Sequence, residues 1–495
     1  MPEIPEMPLR LSKSRYVAGV QCHKLLWWKV HEPDAVELQP GKVLQDRFDQ
    51  GAQVGALARD RFPGGVLIDL PYYATDERVK LTRKLIDDGV PAIYEATFVA
   101  DNTYVAVDVL SRQDNGFHLT EVKSSSSQKE EHLPDAAVQV HVLERCGINV
   151  TGVDVMHLNK ECQFPDLSNL FERTDVTEAV EPLLGKVGWE IDSLLEMLAG
   201  SLPNVDIGMQ CHKPYKCPFM KRCWPQDPDH IMRLFNIGPV KGCNHMAAGV
   251  HRISELPATQ KLHVTQKRQI RAMKEKRTIV EPGLAKALEQ LNCKLGFLDF
   301  ETISRAVPVW PGMTPWAQAP AQFSYHEANG DGTYTHVEYL AEGPKDCRPE
   351  LARVMIEATK GAEKVMTYSP FEKTKIRALQ EAVPELRAEL EQLEQKLFDL
   401  APVVRDNVYH PAFLGSFSLK DVLPALVPDL TYSDLVIIDG LVASVEIARL
   451  LFVAGKIAQE EHDRVRKDLL DYCERDTWAM VRVLEKLREL AITVG

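Results

Sequence analysis

Three runs in one short stretch constrain this chain more than any other feature. Residues 93–99, 104–110 and 117–123 each have strand-forming composition, and the last two are joined across Asp114-Asn115-Gly116. Side chains on a strand alternate faces with a period of two, and Asn-Gly between two such runs is a strong hairpin signal. With Asn115-Gly116 as the two-residue loop, Asp108 is expected directly across from Lys123 and diagonal to Glu121, while Glu121 and Lys123 share a face. Two acids and a lysine then meet at one point. The acids suit a divalent cation, and the lysine suits positioning water or neutralising charge that develops on phosphorus. The plainer reading is a cross-strand ion pair on a solvated hairpin.

A second pair of acids lies in Gly296-Phe-Leu-Asp299-Phe-Glu301-Thr302. On a strand Asp299 and Glu301 point to one side while Leu298 and Phe300 pack behind. Neighbouring carboxylates repel unless a cation such as Mg²⁺ or Mn²⁺ lies between them, although two solvated acids on an edge strand would look the same. Residues 459–490 have helical periodicity, and Tyr472 and Asp476, four apart, are expected on one helix face. A phenol able to orient water beside a metal-binding acid suits phosphodiester hydrolysis; a core tyrosine is the plainer reading.

At 495 residues the chain is too long for one ordinary core, so two or three domains are expected. Residues 1–10 are proline-rich without an apolar segment, and the apolar stretch 441–455 is broken by Glu446 and Arg449, so a cytoplasmic protein with no membrane span is expected. There the ten cysteines are expected to be thiols, and clustered ones to bind metal. The net charge of −13 excludes a generally basic surface but leaves room for local basic patches.

Three cysteines cluster in Cys211-His-Lys-Pro-Tyr-Lys-Cys217-Pro-Phe-Met-Lys-Arg-Cys223, where prolines disfavour a continuous helix. Three thiolates need a fourth ligand, for which Cys22, on a helix expected over residues 12–28, is the candidate. Zinc held by four cysteines, or by three with His212 or His23, is one solution. Further helices are expected over 44–61 and 134–146, and a strand over 65–70.

Residues 230–292 change character. Ile237-Gly238-Pro239 and Ala248-Gly249-Val250 hint at a helix-hairpin-helix, and 261–277 is the most basic segment, carrying Lys261, Lys267, Arg268, Arg271, Lys274, Lys276 and Arg277. That run is either a solvated face or a nucleic-acid track. Trp310 and Trp316, in a proline-rich loop, are candidates either for stacking on bases or for packing on the sheet. Strands are expected over 322–326 and 365–369. Glu372 opens a helix after Phe371, with Asp399 as a rival acid, and leucines 386, 390, 393 and 397 form a helix-packing seam.

The Asp108…Glu121-x-Lys123 pattern resembles the PD-(D/E)XK nuclease core, and the 134–146 helix with Gln139 resembles the Gln-x3-Tyr helix of its RecB-like branch. Leu143 stands where that branch has an aromatic residue, and Gly55 where it often has a histidine ligand; Glu95 is the candidate to compensate. The cysteines resemble those of the iron–sulfur members of that branch, which implies [4Fe–4S] held by Cys22, Cys211, Cys217 and Cys223. Their spacing is wider than the Cys-x2-Cys of those proteins, so zinc stays open. Asp299-x-Glu301, Glu372 as the middle acid and Tyr472-x3-Asp476 resemble the DnaQ-like exonucleases of the RNase H-like fold. Asp471 stands where the histidine subclass carries its histidine, so the resemblance is to the tyrosine subclass. Together these motifs resemble a bacterial family that joins the two modules.

The resemblance implies an α/β protein in three parts: residues 1–229, a RecB-like nuclease domain with an Fe–S cluster; 230–292, a helical connector; and 293–495, a DnaQ-like 3′→5′ exonuclease domain. It implies Mg²⁺ or Mn²⁺ at Asp108 and Glu121 and at Asp299, Glu301 and Asp476. It also implies catalytic roles for Lys123, Gln139, Glu372 and Tyr472, and nucleic acid as partner, DNA before RNA. A nucleic-acid-binding scaffold with decayed sites, or a redox-sensing regulator, is the competing expectation.

Overall fold

The computed structural model describes residues 10–453 and 457–493; the proline-rich start up to Leu9 and the end of the apolar stretch 441–455 lie outside them. It is a mixed α/β structure of two compact units. The first runs to Trp224 and takes in Arg305–Val309 and Thr314–Trp316; the second comprises Pro225–Ser304, Trp310–Met313 and the chain from Ala317 onward, so residues 230–292 group with it. No helix among the described residues is long and apolar enough to cross a membrane.

The first unit is built on a mixed sheet whose strands run, edge to edge, Val66–Leu67, Ala92–Ala100, Thr103–Gln113, Gly116–Val122, Val150–Leu158 and Phe171–Asp175, with Leu11–Ser12 pairing onto Thr103–Gln113. The three central strands are an antiparallel meander; Gly116–Val122 then pairs parallel with Val150–Leu158. A parallel pair needs a crossover, and the helix His132–Arg145 supplies it. Its apolar face, with Ala136, Val140 and Leu143, packs on Val105, Val107 and Leu119 in the main core.

The hairpin register differs from the expected one. Gln113 pairs with Gly116 and Val109 with Thr120, so the two-residue loop is Asp114-Asn115. This brings Asp108 level with Glu121 instead of Lys123. Because the slip moves the partner by two residues, each side chain keeps its face. Gly116 is needed for a close approach: a Cβ there would lie 2.3 Å from the Asn149 carbonyl oxygen.

The expected helix over 12–28 is two helices, Lys13–Gln21 and His23–His31, with Cys22 extended at the corner between them. The strand expected over 65–70 is only Val66–Leu67.

The second unit has a five-stranded sheet in the order Tyr334–Leu340, Gln318–Ala328, Leu295–Ser304, Lys364–Thr367, Leu397–Asp399. The first two pairings are antiparallel and the last two parallel. Leu298 and Phe300 face a core made with Leu351, Met355, Ile376, Leu379, Leu390 and Leu393 of the helices Arg348–Ala358, Phe371–Ala382 and Arg387–Lys396. Asp299 and Glu301 therefore point the other way. That side is covered by Gly440–Phe452 and by the long helix Gln459–Ile492, whose Cys473 thiol lies 3.6 Å from Asp299 Oδ2.

Between the units' named sheets in sequence, Gly238–Ala247 and Val264–Glu275 are separated by the turn Ile253–Glu255 and its flanking loops. This connection is longer than a helical hairpin.

Candidate functional site

In the first unit, the hairpin and two helices converge on Glu121. Its Oε1 accepts from Lys123 Nζ at 2.7 Å and from Lys13 Nζ at 2.9 Å, and its Oε2 from Lys13 Nζ at 3.1 Å and Gln139 Nε2 at 2.8 Å. Lys13 opens the first helix just after Ser12, whose hydroxyl caps it by accepting from Arg15 N. Asp135 lies one turn before Gln139 on His132–Arg145 and accepts from Lys123 Nζ at 2.5 Å. Asp108 Oδ2 accepts from Val122 N at 2.7 Å. Lys13 and Asp135 are members that sequence reasoning missed: neither belongs to the hairpin pattern.

The electrostatics of this cluster divide by partner. Burial, then the charge of Glu121, push the Asp108 carboxyl up to about 7 against the pull of Lys13 and Lys123. Burial acts the same way on Glu121, but Lys123, Lys13 and the Gln139 amide together hold it well below the ordinary range. The lysines are desolvated, yet Glu121 and Asp135 keep both firmly charged. Gln139 Oε1 is buried and finds no hydrogen-bond partner, whereas its Nε2 donates to Glu121 and to the Asp135 carbonyl. Gly55 sits on Lys42–Arg59 with open space where a side chain would project. Glu95 adopts a left-handed φ of 61° inside its strand, and its carboxylate lies 3.7 Å from Arg78 Nη2, so Arg78 is its partner.

The four cysteines Cys22, Cys211, Cys217 and Cys223 line one small cavity with Leu25, Trp28 and Met220. All are free thiols. Burial, with the other three sulfurs nearby, pushes the Cys217 thiol up to about 11. Among the described residues, the groups of three or more ligand atoms within 4.8 Å of one another do not include these thiols. A closed zinc site, with Zn–S near 2.3 Å, sets its sulfurs about 3.8 Å apart. The cavity is wider than that, although it is lined by the right donors for a metal cluster. Gln21 ties the loop down by donating to the carbonyls of Gln210 (2.7 Å) and Tyr215 (2.6 Å).

In the second unit Asp299, Glu301 and Asp476 bring one carboxylate oxygen each within 4.8 Å of the others. The strand Leu295–Ser304 supplies the first two. At Pro320/Gln322 the neighbouring strand shifts register, so that Gln322 stands opposite Glu301. Gly440 begins the helix that covers Glu301; a Cβ there would lie 3.3 Å from Glu301 Oε2, so the glycine lets this carboxylate approach the helix start. Asp476 accepts from the Tyr432 hydroxyl at 2.5 Å. Burial comes first, and mutual repulsion second, in raising Asp299 and Glu301 well above ordinary carboxylates. Asp476 is raised by burial alone, with Tyr432, Lys420 and Tyr472 opposing it. Glu372, on the first turn of Phe371–Ala382, is pushed up to about 7 by burial, with Asp399 and Asp476 adding to it, and accepts from Ser369 Oγ at 3.1 Å. Glu372 thus faces the cluster without joining its tightest three.

Tyr472 is buried, and its hydroxyl accepts from Lys420 Nζ at 2.8 Å. Burial and the charges of Asp476, Glu301 and Asp299 raise that phenol, so the hydroxyl looks into the acids instead of away from them. Lys420 also lies over the rings of Tyr432 and Tyr472. Sequence reasoning assigned Lys420 and Tyr432 no role, and no local spacing marks them. Asp399 accepts from Ala401 N at 2.9 Å and stands outside the three closest acids, although its charge acts on Glu372.

Two expected nucleic-acid features have other partners in the structure. Trp310 is fully buried, donating to the Pro344 carbonyl at 2.9 Å, and Trp316 donates to that of Ser124 at 2.5 Å, so packing, not base stacking, occupies both rings. Of the basic run, Arg268 and Arg271 both pair with Glu281, and Arg277 pairs with Glu275. The charge remaining for a phosphate backbone is smaller than the composition implied.

A family model described as a domain of unknown function (DUF2779) matches residues 296–418. That stretch takes in Asp299, Glu301 and Glu372 and ends before Lys420, Tyr472 and Asp476. No curated protein matches the chain.

Proposed function

We propose that the chain is a metal-dependent nuclease that hydrolyses nucleic-acid phosphodiesters, with its principal site in the second unit. The observation that carries this reading is the meeting of Asp299, Glu301 and Asp476 within 4.8 Å of one another, beside a tyrosine hydroxyl. Carboxylates this close repel one another, and a bound cation is one way to relieve that repulsion. The donor set is all oxygen, which suits Mg²⁺ or Mn²⁺. A divalent cation held by these three residues would supply Lewis acidity toward a phosphoryl oxygen and acidify a bound water.

The chain's own groups do the rest. The Tyr472 hydroxyl, fixed by Lys420 Nζ at 2.8 Å, is placed to orient an attacking water toward phosphorus. The Lys420 ammonium offsets charge that accumulates in the transition state. Tyr432 holds Asp476 in place through its short hydrogen bond. The strand order, with two parallel strands beside an antiparallel trio, supports the RNase H-like resemblance, and the DnaQ-like motifs carry the proposed 3′→5′ polarity.

In the first unit the same reading gives a RecB-like site at Asp108, Glu121, Lys123 and Gln139, and a [4Fe–4S] cluster at the four cysteines. A second reading is favoured there by one observation. Lys13 Nζ lies within 3.1 Å of both Glu121 oxygens, so an ammonium neutralises the carboxylate on which a cation would depend. On that reading the first unit binds nucleic acid and does not cleave it.

The experiment is cleavage of end-labelled single- and double-stranded DNA and RNA by the purified chain, with Mn²⁺ and with chelator. The Asp299→Asn and Asp108→Asn variants run alongside. Metal-dependent trimming that survives Asp108→Asn and disappears in Asp299→Asn supports the principal site. Absence of metal-dependent cleavage on every substrate rejects the nuclease reading. Anaerobically prepared protein is expected to be brown and to contain iron and sulfide; stoichiometric zinc would replace the cluster assignment.

A further inference from the structure

The second unit carries another set of ligating side chains, which the nuclease reading does not use. His326 and His336 stand directly opposite one another on adjacent antiparallel strands, with their rings stacked at 4.4 Å between centroids. Above them, Glu474 and Thr477 lie one turn apart on Gln459–Ile492. His326 Nδ1 lies 2.9 Å from Thr477 Oγ1, His336 Nε2 lies 2.9 Å from Ser324 Oγ, and the two hydroxyl oxygens are 2.9 Å apart. The other nitrogen of His336, Nδ1, is 4.0 Å from Glu474 Oε1.

Two independent features point to a ligand. One ligand atom from each of His326, His336 and Glu474 lies within 4.8 Å of the others, a convergence of two imidazoles and a carboxylate from three separate elements. Each imidazole is also held by a hydroxyl on one ring nitrogen, the outer arrangement that fixes ring orientation in metal sites. His326 is buried, whereas the Glu474 side chain is 48% exposed, so the group opens to solvent on the carboxylate side. The Trp478 ring packs 5.4 Å from His326 and edge-on to Tyr334.

We propose that His326, His336 and Glu474 bind a borderline divalent cation of the zinc class, leaving a position for water. Imidazole ligands select such an ion over Mg²⁺, which prefers the all-oxygen group around Asp299. The inference goes beyond the nuclease reading and does not depend on it. It does add a structural link: Ser324 stands opposite Asp299 in the sheet, and Thr477 directly follows Asp476.

The test is zinc stoichiometry on the full chain, stripped with chelator and then held in excess Mg²⁺ so that the carboxylate sites are filled. Zinc taken up by the cysteines is common to every variant and cancels in the comparison. The parent is expected to bind one more Zn²⁺ than His336→Ala, and Glu474→Gln to weaken that same equivalent at least tenfold. Ser324→Ala, which touches no metal, is expected to weaken it about 10-fold or more through loss of ring orientation, a readout that a purely structural hydroxyl network would not move. If His336→Ala fails to fold, Glu474→Gln carries the test, because its side chain is half exposed. Equal zinc stoichiometry and affinity in the parent and the folded variants overturns the site, whatever the chain does to nucleic acid.

Discussion

The two acid clusters solve the same electrostatic problem in opposite ways. Around Glu121, three carboxylates are interleaved with two lysine ammoniums, and Lys123 and Lys13 each reach both Glu121 and Asp135. Around Asp299, three carboxylates converge with a fourth, Glu372, nearby, and Lys420 is spent on Tyr472. The first cluster carries its own counter-charge and is stable as it stands. The second has less counter-charge among its acids, and burial with mutual repulsion raises Asp299 and Glu301. A buried ion pair and the proposed metal site therefore look alike in sequence, as acids on one face of a strand, and differ in the counter-charge around them.

The largest effect should separate the clusters by opposite signs. Asp299→Asn is expected to abolish metal-dependent trimming, by 10³-fold or more on the order seen when transition-state charge stabilisation is lost, and to remove Mn²⁺ binding at that site. The same change should raise the melting temperature of metal-free protein, because it removes a buried carboxyl that is ionised in the unfolded chain and must take up a proton on folding. A lower melting temperature without metal would mean that the carboxylate is held by favourable contacts, and the contrast fails.

Lys123→Ala should do the reverse. It strands Glu121 and Asp135, and losing one partner of a buried pair costs on the order of 3 kcal/mol. Lys123 is not the exposed, stability-neutral lysine that a solvated hairpin would carry: its side chain is 23% exposed. Denaturant unfolding of the variant checks this, and Lys123→Met, which keeps the packing of the stem, should recover part of the loss. Unchanged stability would show that Lys13 alone satisfies the cluster.

Tyr472→Phe keeps the ring in place and removes the oxygen that Lys420 holds. Turnover in single-turnover trimming should fall roughly 10²-fold with metal affinity hardly changed. Full activity would make Tyr472 a core residue only. An equal loss of Mn²⁺ affinity would make it part of the metal shell.

The smallest effect is on pH. In metal-free protein Glu372, raised to about 7, binds a proton more tightly when folded than when unfolded. Its contribution to stability is complete below the usual glutamate range near pH 4 and is lost as pH rises through about 7. Melting temperature should therefore drop by about 3 °C or more between pH 5 and 8. Saturating Mn²⁺ should flatten that slope, since a cation takes over the role of the proton. Glu372→Gln should also reduce it. A slope indifferent to both would separate Glu372 from the acid cluster.

Local spacing made part of this legible. The alternation through Leu298, Asp299, Phe300 and Glu301 assigns faces to a strand wherever that strand is packed, because the period of two is a property of the backbone. The same holds for Tyr472 and Asp476, one helical turn apart. The hairpin was legible as a hairpin, but its register was not. Asp114-Asn115 and Asn115-Gly116 both make acceptable two-residue loops, and the choice between them depends on where Gly116 must pass beneath Asn149, on a loop far along the chain.

What the sequence by itself determined is therefore most of the acids, Asp135 excepted, together with their faces and the elements that carry them. Only the tertiary structure decided what stands opposite each one. Lys13 reaches Glu121 across 108 residues, and Lys420 reaches Tyr472 across 52. Neither lies in a pattern that differs from that of an ordinary surface lysine. A counter-ion has to be near in space, not in sequence, and Coulomb attraction acts between any two residues that folding brings together. Whether a row of carboxylates becomes a neutralised core or stays short of counter-charge is settled by which distant lysine the packing delivers.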